Sequence, residues 1–185
     1  MESLDARHVI IVGAMGVGKT TIGRLLAARL GLRFLDSDQV IEATTGGPGS
    51  DIADTDGVEQ LHALELGVFL DMCASDERSV IAPAASVVDH ETGREALVAN
   101  ITVWLTAPDH IVAQRQRSGT HRRAIDAETR TALRVRRTPQ LEAVSTITLD
   151  AGSATPEDLV SELVARLEAV SPPDGSPGPS ENPAG

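Results

Sequence analysis

The run His8-Val9-Ile10-Ile11-Val12 is a short β-branched apolar stretch that predicts a buried strand over 8–12. A glycine-rich turn follows, and across 18–30 apolar residues recur at Ile22, Leu25, Leu26, Ala28 and Leu30, the spacing of a helix. The alternation continues with a strand at 33–35, a helix at 38–44, a loop through Gly46-Gly47-Pro48-Gly49, a helix at 57–74 and a strand at 79–82. Further along, the pattern predicts a short helix near 91–99, a strand over 101–106, helices at 108–117 and 126–137, a strand at 144–149 and a helix at 156–169. Five strands alternating with helices predict an α/β fold, a five-stranded parallel sheet wound with helices on both faces. In such sheets ligands bind outside the carboxyl ends of the strands, so the informative residues should follow each strand.

The segment after the first strand is Gly13-Ala14-Met15-Gly16-Val17-Gly18-Lys19-Thr20, an uninterrupted GxxxxGKT between a strand and a helix. Glycines let such a loop turn its backbone N–H groups inward around phosphate oxygens, and the helix N-terminus adds a favourable partial positive charge. Lys19, the chain's single lysine, supplies a compact point charge for the phosphates, and Thr20 a hydroxyl for Mg²⁺. Residues 13–20 together with Thr21 are therefore the expected ATP contacts, within a P-loop three-layer fold.

The other strand ends carry matching chemistry. Asp36-Ser37-Asp38 follows the second strand, Pro83-Ala84-Ala85-Ser86 the third. A carboxylate near a triphosphate holds Mg²⁺ or accepts the proton of an attacking hydroxyl. Asp36 is assigned to the metal and Asp38 to the acceptor hydroxyl; the competing reading, chiefly for Asp38, is a cap on the helix near residue 38. Between two helices, Arg117-Ser118-Gly119-Thr120-His121-Arg122-Arg123 has the polar, glycine-bearing character of a mobile lid over about 116–125. An arginine delivered by such a lid stabilises charge on a transferring phosphoryl group, and Arg122 is the choice for that role, with Arg123 as alternative.

Size and charge narrow the picture. The 185 residues suit one domain over 1–170, followed by a tail at 171–185 that holds five of the ten prolines, carries no large apolar residue and is expected to be disordered. The net charge of −11 and a chain with no tyrosine, one tryptophan and two phenylalanines argue against a nucleic-acid surface. Locally, 115–137 carries eight arginines against Asp126 and Glu128, a segment suited to handling an anion, with most of the arginines on solvated faces. The single cysteine, Cys73, sits in an apolar pattern and fits a packed thiol in a cytoplasmic protein. Neither a signal peptide nor a membrane span is expected, and a monomer acting on a small-molecule acceptor is.

The P-loop with Thr21-Ile22-Gly23-Arg24-Leu25-Leu26-Ala27, followed by Phe34-Leu35-Asp36-Ser37-Asp38-Gln39-Val40-Ile41-Glu42, resembles the shikimate kinase family over about 8–165. The resemblance implies ATP with Mg²⁺, transfer of the γ-phosphate to a hydroxyl of a small carboxylated ring, and a closing lid. By matching positions it implies that Lys19 and Thr20 hold phosphates and metal, Asp36 supports the Mg²⁺ shell, Asp38 contacts the acceptor hydroxyls, Arg122 is the lid arginine and Arg137 pairs with the acceptor carboxylate.

The chain departs from the family pattern where the acceptor is recognised. His62 stands where the pattern has an arginine, Ala84-Ala85-Ser86 replaces a triple glycine and narrows the pocket, Arg123 replaces a proline and Leu141 a tyrosine. His62 and Glu65, at i and i+3, could face the pocket as a pair, with His62 cationic or a proton carrier; an ordinary partly buried histidine is the other reading. Two functions follow: a Mg·ATP-dependent small-molecule kinase, or a nucleotide-binding protein whose phosphotransfer has decayed into a sensor.

Overall fold

The computed structural model describes residues 7–118 and 126–170. In chain order the elements are β1 (Val9–Gly13), α1 (Lys19–Leu30), β2 (Arg33–Asp36), α2 (Ser37–Thr45), α3 (Gly49–Thr55), α4 (Val58–Cys73), β3 (Ser79–Ala82), a 3-10 turn (Val87–Asp89), α5 (Glu91–Ala99), β4 (Ile101–Thr106), α6 (Asp109–Ser118), α7 (Ala127–Val144), β5 (Ile147–Asp150) and α8 (Pro156–Val170). The five strands form one parallel sheet in the order β2-β3-β1-β4-β5. This is the α/β architecture that the alternating pattern predicts.

The central strand β1 is buried along its whole length, which is why its sequence is a continuous apolar run rather than an alternating one. Alternate residues nevertheless serve opposite faces. Val9 and Ile11 pack with Ile22 and Leu26 of α1 and Leu159, Leu163 and Leu167 of α8. Ile10 and Val12 pack on the other side with Phe69 of α4, Val87, Leu97 of α5, and Leu141 and Val144 of α7. Each such side chain taken fully out of water contributes about 1.5–3 kcal/mol, so the two layers hold the strand ends at fixed heights. Cys73 packs against the second layer, where burial pushes its thiol up to about 12, a packed group as its apolar setting predicts.

Four elements differ from the pattern. α3 (Gly49–Thr55) is a helix where the Gly-Pro-Gly run predicts only a loop; Pro48 is its N-cap, and none of its residues is buried, so no apolar period announces it. α7 continues past Pro139 to Val144, beyond the expected end at 137. A proline removes one helical hydrogen bond, but Leu141 and Val144 in the following turn are buried against the sheet, and that burial carries the helix through. β5 accordingly begins at Ile147, not at 144, and its burial alternates as an edge strand's does. The 3-10 turn at Val87–Asp89 has no counterpart in the pattern either.

Gly93 fixes how α5 meets that turn. A Cβ there would stand 2.1 Å from the Val87 carbonyl oxygen, whereas one at Gly67, on the exposed face of α4, would meet nothing within 4 Å. Gly93→Ala is expected to destabilise the protein by about 1–3 kcal/mol through overpacking. Gly67→Ala should stabilise it by about 0.5–1 kcal/mol through helix propensity. Thermal or urea unfolding of the two variants checks the opposite signs.

Candidate active site

Four chain segments meet at the carboxyl edge of the sheet: the loop after β1, the β2–α2 junction, residues 83–86 after β3, and the chain leaving β5. The loop after β1 takes its shape from three glycines of positive φ, Gly13, Gly16 and Gly18. Gly13 has φ 145 and a Cβ there would lie 2.5 Å from the Leu105 carbonyl oxygen of neighbouring β4, so the loop can press against the sheet only with no side chain. Gly18 has φ 117 and is the N-cap of α1, which leaves the first N–H groups of the helix facing the loop. Lys19 Nζ folds back and donates to the Gly13 carbonyl at 3.1 Å, closing the loop on itself.

Asp36 ends β2 and is buried, with 6 % exposure. Its Oδ2 accepts from Thr20 Oγ1 at 2.8 Å and its Oδ1 from the Asp38 backbone N–H at 3.1 Å. It is therefore the N-cap of α2 while it holds the P-loop hydroxyl. The capping role weighed for Asp38 thus belongs to Asp36, and one side chain does both jobs because each of its oxygens faces a different donor. Asp38 occupies the first turn of α2 at the same edge.

The donors here fit a hard divalent cation with a bound triphosphate. Among the described residues no three His, Cys, Asp or Glu side chains gather into a metal cluster. Mg²⁺ in a phosphotransfer site needs no such cluster, since one or two protein oxygens complete a shell made of phosphate and water oxygens. The Thr20 hydroxyl and the Asp36 carboxylate beside it are oxygens of that kind.

On its outer side the loop is braced by α6. Arg115 Nη1 donates to the Val17 carbonyl at 3.0 Å and Nη2 to the Ala151 carbonyl at 2.9 Å, tying the P-loop to the end of β5. Gln116 Nε2 donates to the Met15 carbonyl at 2.8 Å. The basic stretch beginning at Arg115 marks this part of the chain, but no sequence signal distinguishes a brace from a ligand contact. Arg122 and Arg123 and most of the lid expected over about 116–125 lie outside the described residues, as does the tail at 171–185.

Across from the P-loop, Ala84 and Ser86 are buried behind β3, and a cavity of about 340 Å³ is lined by Met15, Val17, Ala84, Ala85, Trp104 and Arg137 among others. The Ser86 hydroxyl donates to Glu65 Oε2. Burial raises the Glu65 pKa above its usual range, opposed by the Ser86 bond and by the charges of Arg137, Lys19 and His90. Glu65 thus lies in the field of both the P-loop lysine and Arg137. The pairing considered for His62 and Glu65 is replaced by the Glu65–Ser86 bond. Burial and then the Arg137 charge lower the His62 pKa, with Asp89 opposing, so the neutral imidazole is favoured over a cation.

Arg137 is anchored by a residue the sequence did not single out. Its Nη2 donates to Asp89 Oδ2 at 2.6 Å, and Arg136 Nη2 reaches the same oxygen at 2.6 Å. Burial alone would raise the Asp89 pKa, but the hydrogen bonds and charges of Arg137 and Arg136 outweigh it and hold the carboxyl below its usual range. An aspartate in a turn shows no periodicity, and only the approach of α7 to the 3-10 turn reveals the pair.

Because the folded state holds the Glu65 proton more tightly than the unfolded chain does, the stability linked to it is full below the usual carboxyl pKa and is lost as pH rises through the folded value. Glu65→Gln abolishes this titration. The thermal midpoint of the variant minus that of wild type should therefore increase as pH is raised from about 4.5 to 7. A difference that stays flat or falls in differential scanning calorimetry contradicts the buried-carboxyl reading.

Comparison with known proteins agrees with this geometry. The model of the shikimate kinase family matches residues 15–168. The chain is similar to shikimate kinases of Salinispora tropica, at 35 % identity over 161 residues covering 85 % of this chain and 96 % of the relative, and of Symbiobacterium thermophilum, at 33 % over 168 residues covering 87 % and 96 %. In structure it is similar to the shikimate kinase of Acinetobacter baumannii in complex with shikimate, with TM-score 0.82 and 28 % identity over 89 % of this chain and 94 % of that one. The five-stranded parallel sheet, the P-loop and these likenesses converge: the chain belongs to the shikimate kinase family of ATP-dependent kinases.

Proposed function

We propose that this kinase transfers the γ-phosphoryl group of Mg·ATP to a ring hydroxyl of shikimate or a closely related hydroxylated acid, as a cytoplasmic monomer. The observation that carries the reading is the Asp36 bridge. Its carboxylate joins the P-loop Thr20 to the start of α2, so that Asp38 stands beside the phosphate-gripping loop. Support for the acceptor comes from the family and from the Acinetobacter baumannii relative, which was solved with shikimate.

In this reading residues 13–21 wrap the phosphates with backbone N–H groups, and Lys19 leaves the Gly13 carbonyl for the β- and γ-phosphates. Thr20 and Asp36 would hold Mg²⁺, which when bound neutralises phosphate charge. Asp38 orients the acceptor hydroxyl and accepts its proton as the oxygen attacks phosphorus. Arg137 receives the acceptor's carboxylate, Ala84, Ala85 and Ser86 bound the ring, and His62 packs at its edge as a neutral polar group. Arg122 supplies charge stabilisation from the lid. Nothing in the comparisons favours the decayed-kinase alternative, and membership of the shikimate kinase family supports an active kinase.

The test is acceptor-dependent ADP release from Mg·ATP in the presence of shikimate. Lys19→Ala is expected to lower turnover about 10²–10³-fold through loss of a preorganised charge. Arg122→Ala should lower it about 10³-fold or more. ATP binding with no acceptor-dependent turnover across a panel of hydroxylated acids would sink the proposal.

Asp36 allows stability to be separated from metal use. Asparagine caps a helix as well as aspartate does, so Asp36→Asn should keep a thermal midpoint close to wild type, whereas Asp36→Ala loses about 1 kcal/mol. Both variants should need more Mg²⁺ for half-maximal rate and turn over about 10- to 100-fold more slowly. Mg²⁺ titrations of the initial rate decide it.

A further inference from the structure

Asp89 closes the 3-10 turn and directs both carboxylate oxygens at α7. Its Oδ2 accepts from Arg137 Nη2 at 2.6 Å and Nε at 3.1 Å and from Arg136 Nη2 at 2.6 Å, while its Oδ1 accepts from Arg137 Nε at 3.2 Å. The Arg137 and Asp89 side chains are 13 % and 17 % exposed, and Arg136 is 56 % exposed. The inner pair is thus largely shielded from water, and solvent screens the outer arginine.

The Nε–Nη2 edge of a guanidinium is one of the edges on which it grips a carboxylate with two parallel bonds. In this chain an internal carboxylate holds that edge. Arg137 lines the same cavity as Ala84 and Ala85, so an acceptor that reaches it there meets a guanidinium already in part neutralised, with a fixed negative charge alongside. His62, whose charge would compensate, lies in the field of Arg137 and favours the neutral form.

We infer that Asp89 is a specificity-determining residue that competes with the acceptor's carboxylate for Arg137, weakening acid acceptors relative to uncharged polyhydroxylated rings of the same shape. The inference rests on the acceptor reading above, in which Arg137 meets the acid group. A carboxylate arriving at the cavity must either displace Asp89 from a desolvated ion pair or make do with the remaining donors of Arg137 under like-charge repulsion. An uncharged ring faces neither cost.

The test compares wild type, Asp89→Asn and Asp89→Ala on two acceptors of one shape, shikimate and its methyl ester. Steady-state kcat and KM are measured for each. Binding is followed independently of turnover by the fluorescence of Trp104, the chain's single tryptophan, which lines the cavity with Arg137. Asparagine keeps an oxygen for Arg137 to donate to and removes only the charge, whereas alanine removes both. The ratio of kcat/KM for acid over ester is expected to rise about 5- to 10-fold in Asp89→Asn, mainly through a lower KM for the acid. Asp89→Ala should shift the ratio the same way, and because the ratio cancels general damage, either variant alone suffices if the other fails to fold. An unchanged or reduced ratio in a folded variant overturns the inference, since Asp89 would then only orient Arg137. Wild type inactive on the acid, active on the ester, and converted to acid use by Asp89→Asn supports it. If no form binds or phosphorylates either compound, the acceptor reading itself fails, and the inference falls with it.

Discussion

Everything at the site hangs on one buried carboxylate. Asp36 is buried, and its carboxylate accepts from two donors, the Thr20 hydroxyl and the Asp38 amide. Because burying a charge is costly unless it is hydrogen-bonded, those contacts are constraints as much as attractions. They tie three elements, β2, α1 and α2, at one point. Since β3 lies between β2 and β1 in the sheet, the bond also spans the strand that delivers Ala84, Ala85 and Ser86. The relative height of the P-loop and the loop after β3 follows from that arrangement and from the apolar layers beneath it.

Beyond Asp36 the site is a chain of charges kept at partial burial. Glu65 lies in the fields of Lys19 and Arg137 and is bonded to Ser86; Asp89 holds Arg137 and Arg136; His62 responds to that pair. In a low-dielectric setting each group's protonation depends on its neighbours, so charge added or removed at one point is felt across the cavity. The alanines and the serine that follow Pro83 matter in the same way. Ala84 and Ala85 put methyl groups on the cavity wall where glycine would leave bare backbone.

The nucleotide half was legible in the chain because its motif is contiguous. Gly13 to Thr20 needs only a strand before it and a helix after it, and both are encoded locally by apolar spacing. Strands β1, β3 and β4 and helices α1, α4, α5 and α8 were legible for the same reason. What escaped was whatever depends on a distant partner. α3 has no buried residue and so no period; α7 crosses Pro139 because the sheet, not its own propensity, supports its last turn. The Arg115 brace, the Glu65–Ser86 bond and the Asp89–Arg137 pair join residues 98, 21 and 48 positions apart. The spacing of His62 and Glu65 raised the idea of a pair on one helix, yet the stronger partner of Glu65 came from another element.

By itself, then, the chain determined the order of its strands and helices, the phosphate-gripping loop and the acidic residues that follow β2. These are properties of short stretches, written in residue type and period. Only the tertiary structure decided which oxygen of Asp36 caps α2 and which holds Thr20, where Arg115 spends its guanidinium, and that an aspartate from a turn sits on Arg137. The reason is physical: hydrogen-bond and ion-pair partners are selected by distance and desolvation after the sheet has brought remote segments together, and neither quantity exists along an unfolded chain.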